Sequence, residues 1–185
     1  MTALMIIAIG VVVIAFWVMG VYNSLIALRV RADGSWSDID VQLKRRYDII
    51  PNLVATVEGY AKHERGTLQA VIEARSKAMG ITDVTKKGEA ENFLAGTLKS
   101  LFAIAEAYPQ LKANENFLKL QSTLEEIEEA IQSSRRYYNA VVRDFNTQLQ
   151  VFPNNILANT FNFKNKDFFQ LGNPEEERKA PQVKF

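Results

Sequence analysis

The pair of side chains best suited to chemistry is His63 and Glu64, which begin like the zinc-protease motif H-E-x-x-H. That motif needs a second histidine where this chain has Thr67, and a di-iron E-x-x-H site needs a glutamate where it has Tyr60. With no cysteine and one histidine, the sequence excludes disulfides, cysteine-based metal sites and sites with two imidazoles. We therefore expect no bound metal, and His63 is most simply a polar residue of a helix.

Other catalytic signatures are missing from the sequence. The chain has no glycine-rich nucleotide-binding motif of the form G-x-G-x-x-G or G-x-x-x-x-G-K-[ST], and no G-x-S-x-G nucleophile turn. Glutamates cluster between 125 and 129, and the simplest interpretation of that cluster is a solvated helix face. We expect a protein that is not an enzyme and that uses no cofactor.

Polar residues beside the apolar positions are the remaining candidates for a site. Arg46 and Asn52 lie near a proline, Glu106 precedes another proline by one turn, and Asn139 and Asn146 share a helix face because they are seven residues apart. If buried, each needs a partner. We predict that Glu106 pairs with an arginine of the first or last soluble helix, which would fix the helix register. The alternative is an interior ligand-binding or enzymatic site built from Arg46, Glu106 and Asn139.

Long amphipathic helices must position these residues. The clearest lies between 117 and 152, where positions three and four apart are apolar or aromatic in nine of eleven cases. Such a stripe must pack against other helices. The eleven positions are Phe117, Leu120, Leu124, Ile127, Ile131, Ser134, Tyr138, Val141, Phe145, Gln148 and Phe152. We predict an all-α fold in which an N-terminal transmembrane helix precedes an antiparallel bundle of long helices of the four-helix-bundle type.

Three further soluble helices are predicted before that one. A capping box at Ser35–Asp38 predicts the start of the first, whose apolar stripe continues to Ala61 and which Pro51 should kink. The second covers about 64–79 and the third about 86–107, which ends because Tyr108 precedes Pro109. The inward residues that we predict in these two helices are Leu68, Val71, Ile72, Met79, Phe93, Leu94, Leu98, Leu101, Phe102 and Ile104.

The N-terminal segment is predicted to span a membrane. Residues 3–21 are apolar apart from Gly10 and Gly20, and about 20 apolar residues cross a bilayer. No basic residue precedes the run and no small-residue cleavage site follows it, so we expect an uncleaved signal-anchor. Basic residues follow the run, which predicts a single-pass protein of the bacterial inner (cytoplasmic) membrane with its body in the cytoplasm. A periplasmic or extracellular body is the alternative.

Charge and composition divide the rest of the chain. The 22 basic and 21 acidic side chains give a net charge of +1, which argues against nucleic acid as a partner. We predict a transmembrane anchor at 1–30, a helical bundle at 31–152 and an Asn/Phe-rich segment at 153–185 with a disordered end. The phenylalanines of that last segment either fold back onto the bundle or bind a partner.

Several long segments of the chain resemble the LemA family of bacterial membrane-anchored proteins. They are Trp36 with QLKRRYDIIPNLV (42–54), GYAKHE (59–64), Ala74–Ser76, EAYPQLKANENFLKLQ (106–121), RRYYNAVVRDFN (135–146), and FPNNILA (152–158) with Phe161 and Phe163. The resemblance implies a transmembrane helix and a helical bundle, no established enzymatic activity, and a branch that takes part in forming magnetosomes. Its signature or structural residues here are Trp36, Arg46, Tyr47, Pro51, Asn52, Glu106, Tyr108, Pro109, Arg135, Tyr138, Asn139, Asn146 and Pro153.

Two non-enzymatic functions follow from these features. The first is a membrane-tethered scaffold that presents its bundle or its Phe-rich segment to a protein partner, for example another membrane protein. The second is a homo-oligomer that organises or shapes the membrane, since a strict heptad pattern also permits self-assembly.

Overall fold

A computed structural model of the chain describes residues 1–170, and the regular structure in that range is helical. The all-α prediction is therefore confirmed. The helices are α1 (Thr2–Tyr60), α2 (Arg65–Met79), α3 (Val84–Ala107), α4 (Pro109–Lys112), α5 (Glu115–Gln150) and α6 (Asn154–Thr160). The predicted disordered end of the chain lies outside the described residues.

Helix α1 continues from the apolar N-terminal segment to Tyr60 without a break. The helix start predicted at Ser35 is wrong, because Ser35 is buried inside α1 and its hydroxyl donates to the carbonyl of Ala32 at 2.9 Å. A serine inside a helix commonly bonds to a carbonyl one turn back instead of capping. The N-terminal part of α1 is long and apolar enough to cross a bilayer, and its apolar side chains are exposed.

The described chain forms two compact units. The first, which we call the anchor unit, consists of Met1–Ser37 and Arg136–Asp167. The second, the bundle unit, consists of Asp38–Arg135 together with the described residues 168–170. Both α1 and α5 contribute to each unit.

The described part of the bundle unit contains four long helical segments, from α1, α2, α3 and α5, which alternate in direction, and the short helix α4. Arg46 and Tyr60 of α1 contact Glu128 and Asn114 respectively, so α1 and α5 are antiparallel here. Short connections of four residues join α1 to α2 and α2 to α3, which favours antiparallel neighbours. The buried core includes Ile39, Leu43, Ile50, Leu53, Val57, Leu68, Val71, Leu94, Leu98, Leu101, Leu111, Phe117, Leu124, Ile127 and Ile131.

Some of the predicted inward residues face outward. Ile72 and Met79 of α2 are exposed, and so is Phe93 of α3, whereas Ala74 and Ala78 are buried. The buried face of α2 consists of Leu68, Val71, Ala74 and Ala78, and Ile72 lies outside it. Gly88 of α3 allows the backbone of Gln170 to approach closely, because a Cβ at that position would collide with the backbone carbonyl of Gln170.

The anchor unit is built around an antiparallel pair of α1 and α5 segments. Trp36 packs on Tyr138 with ring centroids 5.4 Å apart, and eleven residues nearer the N-terminus Leu25 shares a buried cluster with Phe145 and Leu149. Val21, Leu28, Ala158 and Phe163 complete that cluster. The chain after α6 thus folds back onto α1 and α5 at Phe163.

Candidate functional site: a buried arginine cluster and an acidic groove

The centre of the bundle unit holds a buried ion pair of Arg46 and Glu91. Together with Tyr47 and Glu128, which contact this pair, we call it the buried arginine cluster. Arg46 is 1% exposed, and its guanidinium pairs with Glu91 of α3, which is fully buried. Its Nη1 also donates to Oε1 of Glu128 on α5 at 2.7 Å. The hydroxyl of Tyr47 donates to Glu91. A buried charge is tolerated only when it is paired and hydrogen-bonded, and here one arginine ties three helices together.

Lys87 adds a second buried cation on the same side of the bundle unit. Its Nζ donates to the carbonyl of Ala78 at 3.0 Å and lies 5.3 Å from the centroid of the Tyr47 ring. Burial lowers the pKa of Lys87, and it raises the pKa of Tyr47 to about 12. Both shifts follow from the burial of these side chains, because removal of water disfavours the charged form of each group.

Pro51 explains another contact of this cluster. In a regular helix the N–H of residue 51 would donate to the carbonyl of Tyr47, but proline has no N–H. The freed carbonyl instead accepts a hydrogen bond of 2.6 Å from Nε of Arg75 on α2. The proline inside α1 thus creates an acceptor that a second helix uses, which satisfies a backbone group that would otherwise lack its helical partner.

The raised tyrosine pKa predicts how stability depends on alkaline pH. A folded-state pKa raised from 10.0 to about 12 makes the folded chain hold that proton more tightly, so the stabilisation is complete below pH 10 and is lost as pH rises toward about 12. The lowered pKa of Lys87 has the opposite effect, so that stability rises with pH, but this rise is complete once the pH reaches the ordinary lysine pKa of 10.5.

We expect the melting temperature to fall more gently above pH 10.5 in Tyr47→Phe than in wild type. The exposed Tyr137→Phe controls for the loss of a tyrosine hydroxyl as such. An unchanged slope in Tyr47→Phe would contradict the assignment.

An open groove lies beside the buried cluster. It has a volume of about 390 Å³ and lies along α5 where α3 contributes Phe102. Phe102 and Leu124 supply apolar surface, while Glu125, Glu128 and Glu129 supply carboxylates. Glu128 accepts the hydrogen bond from the buried Arg46, so its side chain belongs both to the groove and to the buried arginine cluster. Gln121 and Gln132 also line it.

Polar contacts also fix the end of the anchor unit. The side chain of Asn146 donates to the carbonyl of Lys166 and accepts from its N–H, both at 2.9 Å. The hydroxyl of Tyr138 donates to the carbonyl of Asp167 at 2.9 Å, and Nζ of Lys166 pairs with Asp33 at 2.6 Å. Burial raises the pKa of Tyr138 to about 12. These bonds hold the segment after α6 against α1 and α5.

The structure brings only some of the predicted site residues together. Arg46 and Tyr47 share the buried cluster, and Trp36 packs on Tyr138. The predicted pairing of Glu106 with an arginine in the interior is wrong, because Glu106 is 68% exposed and pairs with Lys112 at 2.6 Å. The interior set of Arg46, Glu106 and Asn139 is therefore not assembled.

The remaining predicted residues occupy varied positions. Pro51, Asn52 and Pro109 are exposed, and His63 is exposed as well; Tyr108, Arg135, Asn139, Asn146 and Pro153 are half-buried. Helix α3 ends at Ala107, just before Tyr108 and Pro109, as predicted, whereas the short helix α4 that begins at Pro109 was not predicted. The peptide bond between Phe152 and Pro153 is cis.

Sequence reasoning missed Lys87 and Glu91, although a signal for both exists. With the buried residues Leu94, Leu98 and Leu101, they form one series spaced by four and three residues along α3. Extending the apolar stripe of α3 toward its N-terminus therefore places both charges on the inward face.

Comparison with known proteins places the chain in a family. The sequence model of the LemA family matches residues 35–185. The chain belongs to the LemA family. The match covers the bundle unit, α5 and α6, and it therefore includes the buried arginine cluster and the groove of this LemA-family chain, while the apolar segment 3–21 precedes it.

Individual relatives are distant in sequence. Protein LemA of Metamycoplasma hominis is 28% identical over 165 residues, covering 86% of this chain and 74% of the relative. Magnetosome protein MamQ of Magnetospirillum gryphiswaldense is 25% identical over 174 residues, and magnetosome protein MamQ 2 of Paramagnetospirillum magneticum is 23% identical over 175. Each of these two alignments covers 80% of this chain and 64% of the relative, so the chain spans less than two thirds of the length of the magnetosome proteins.

Proposed function

We propose that this LemA-family chain is a membrane-tethered docking protein without enzymatic activity, which binds a cationic segment of a membrane-protein partner. The apolar part of α1 would anchor it, and the groove of the bundle unit would receive the partner. The observation that carries the proposal is the contact between the buried Arg46 and Glu128, because it ties the central carboxylate of the groove to the core of the fold.

The groove suits a lysine or arginine side chain together with apolar neighbours. The methylene stem of such a residue can lie on Phe102 and Leu124, while its charged end reaches the carboxylates of Glu125 and Glu129. Arg46 neutralises Glu128 from the interior, and this leaves the other two carboxylates to attract the ligand. An open groove of this size fits a few side chains of a peptide segment better than an enclosed small molecule.

The proposed orientation places the bundle unit in the cytoplasm. Arg29, Arg31, Lys44 and Arg45 follow the apolar segment, and basic residues are enriched on the cytoplasmic side of such segments. The partner's binding segment should therefore be cytoplasmic and basic.

A second candidate function is self-assembly at the membrane. Relatives of this chain are named as magnetosome proteins, and that name favours a role in organising a cellular structure over one in catalysis. A second copy of the chain would then occupy the groove in place of a different protein.

Photo-crosslinking from the groove in intact cells tests these proposals. A benzoylphenylalanine at Gln132, which lines the groove, should give a defined crosslink, whereas the same group at the exposed Ser122, outside the groove lining, should give little. Mass spectrometry of the crosslinked peptide then identifies the occupant and its side of the membrane. A basic cytoplasmic peptide of a membrane protein supports docking, a peptide of the chain itself supports self-assembly, and equal yields from both positions would contradict a binding role for the groove.

A further inference from the structure

Large apolar side chains are exposed at one end of the anchor unit. Phe152 follows α5 and is 79% exposed, Ile156 lies in α6 and is 56% exposed, and Phe161 follows α6 and is 49% exposed. Three such residues within ten positions, on a segment whose neighbours Leu157 and Ala158 are buried, form an apolar surface on a fixed scaffold. Surfaces of this kind mark contacts with proteins or with membranes.

The helix register places this surface beside the end of the apolar segment. Moving from Trp36 to Leu25 along α1 corresponds to moving from Tyr138 to Leu149 along the antiparallel α5. The same register brings the end of α5 and Phe152 to the level of Tyr22. Two ring contacts confirm this level, since Tyr22 lies 4.8 Å from Phe161 and 5.9 Å from Phe163 between centroids.

Tyr22 directly follows the apolar residues 3–21. If those residues cross the hydrocarbon core, Tyr22 lies at the boundary between acyl chains and headgroups, where aromatic side chains are enriched. Residues packed on Tyr22 share that depth. The exposed Phe152, Ile156 and Phe161 would then meet the interfacial layer of the bilayer instead of bulk water.

The charges around the surface match a membrane. Residues 152–166 contain no acidic side chain and two lysines, of which Lys166 is already paired with Asp33 of α1, so Lys164 is the cation that this segment offers to a membrane. The guanidinium of Arg29 lies 5.6 Å from the centroid of the Phe163 ring, about two helical turns beyond Tyr22. Cations at this height above an apolar surface complement the anionic headgroups of a bacterial inner leaflet.

We propose that α6 and the phenylalanines on either side of it form a second membrane contact, in which Phe152, Ile156 and Phe161 enter the interfacial layer next to the spanning helix. This inference rests on the membrane anchoring proposed above and adds a surface contact to it. The contact would fix the tilt of α1 and hold the anchor unit against the lipid.

Spin labels on single cysteines test this contact in the full chain, because the protein has no cysteine of its own. The label sites are Ile156→Cys at the proposed contact, Val11→Cys in the apolar segment, and Tyr137→Cys, exposed on α5 far from Tyr22 in the register. The protein is reconstituted in vesicles of phosphatidylethanolamine and phosphatidylglycerol. At Ile156 we expect collisions with oxygen to exceed collisions with a water-soluble nickel chelate, as at Val11, and the reverse at Tyr137.

The outcomes separate this inference from the anchoring itself. A nickel-accessible label at Ile156 with a protected label at Val11 would overturn the surface contact and leave the anchor intact. A label at Ile156 shielded from both reagents would overturn it in favour of a covering protein or second copy. A nickel-accessible label at Val11 would overturn the anchor as well.

Discussion

The Arg46→Met variant is expected to lose about 3–5 kcal/mol of unfolding free energy, the cost typical of breaking a buried ion pair by removing one partner. The loss arises mainly at Glu91, which is 0% exposed and would be left as a buried carboxylate without its guanidinium. Glu128 contributes less, because it is partly exposed and can be solvated. Glu91 would also lose the charge that balances it beside Tyr47.

Urea unfolding of the full chain in detergent, followed by helical circular dichroism, measures this loss. Arg45→Met is the matched control, because Arg45 is the exposed neighbour and its loss should change stability by no more than about 0.5 kcal/mol. Adding Glu91→Leu to Arg46→Met should restore much of the loss, since replacing both partners by apolar groups is often neutral. Wild-type stability in Arg46→Met alone would contradict the assigned role.

The Phe145→Ala variant is expected to destabilise the anchor unit by about 3–5 kcal/mol, the range for removing a phenylalanine from a core. Phe145 is 1% exposed and packs with Leu25, Leu149 and Phe163, so truncation leaves a cavity where α1, α5 and the returning chain meet.

Fluorescence of Trp36 reports on this unit, because Trp36 packs on Tyr138 within it. In a Trp17→Phe background, which leaves Trp36 as the sole tryptophan, the Trp36 unfolding transition should move to lower denaturant concentration in Phe145→Ala. The control is Phe93→Ala, since Phe93 is exposed on α3. A Trp36 transition that stays at its wild-type position in Phe145→Ala would show that Phe145 does not hold the unit together.

The periodicity of apolar residues predicted most of the fold. The stripe from Phe117 to Phe145 defines α5 because packing follows the 3.6-residue period directly. Phe152, the last member of the predicted stripe, lies beyond the end of α5 and is exposed. The continuity of α1 through Ser35 was not predictable from local signals, since the same serine can cap a helix or bond back inside one.

The site was predictable in part. The polar position of Arg46 beside an apolar stripe marked it as a residue that needs a partner. Which carboxylate supplies that partner depends on the rotation of α3 and α5 about their axes, and Glu106 was the wrong choice because it lies on the outer face of α3. The contact of Arg75 with the carbonyl freed by Pro51 likewise depends on how α2 packs on α1.

The groove is linked to the core of the bundle unit through Glu128. A carboxylate cluster on a helix surface is ordinarily a solvated face, as expected from the sequence alone. Here the central member, Glu128, is held by a buried arginine, and the flanking Glu125 and Glu129 share a groove with apolar residues. Fixing Glu128 gives the groove one carboxylate of defined position, and a group that is already held in place costs less ordering on binding than a freely moving side chain does.

The most direct test of this account is charge reversal in the groove, measured as the yield of the Gln132 photo-crosslink in intact cells. The Glu125→Lys/Glu129→Lys double variant should abolish the crosslink, because the groove would repel a cationic segment. Glu126→Lys, an equal charge change on the same helix outside the groove lining, should preserve it. A crosslink that survives in the double variant, or disappears equally in Glu126→Lys, would contradict the proposal that the groove of this protein binds a basic partner.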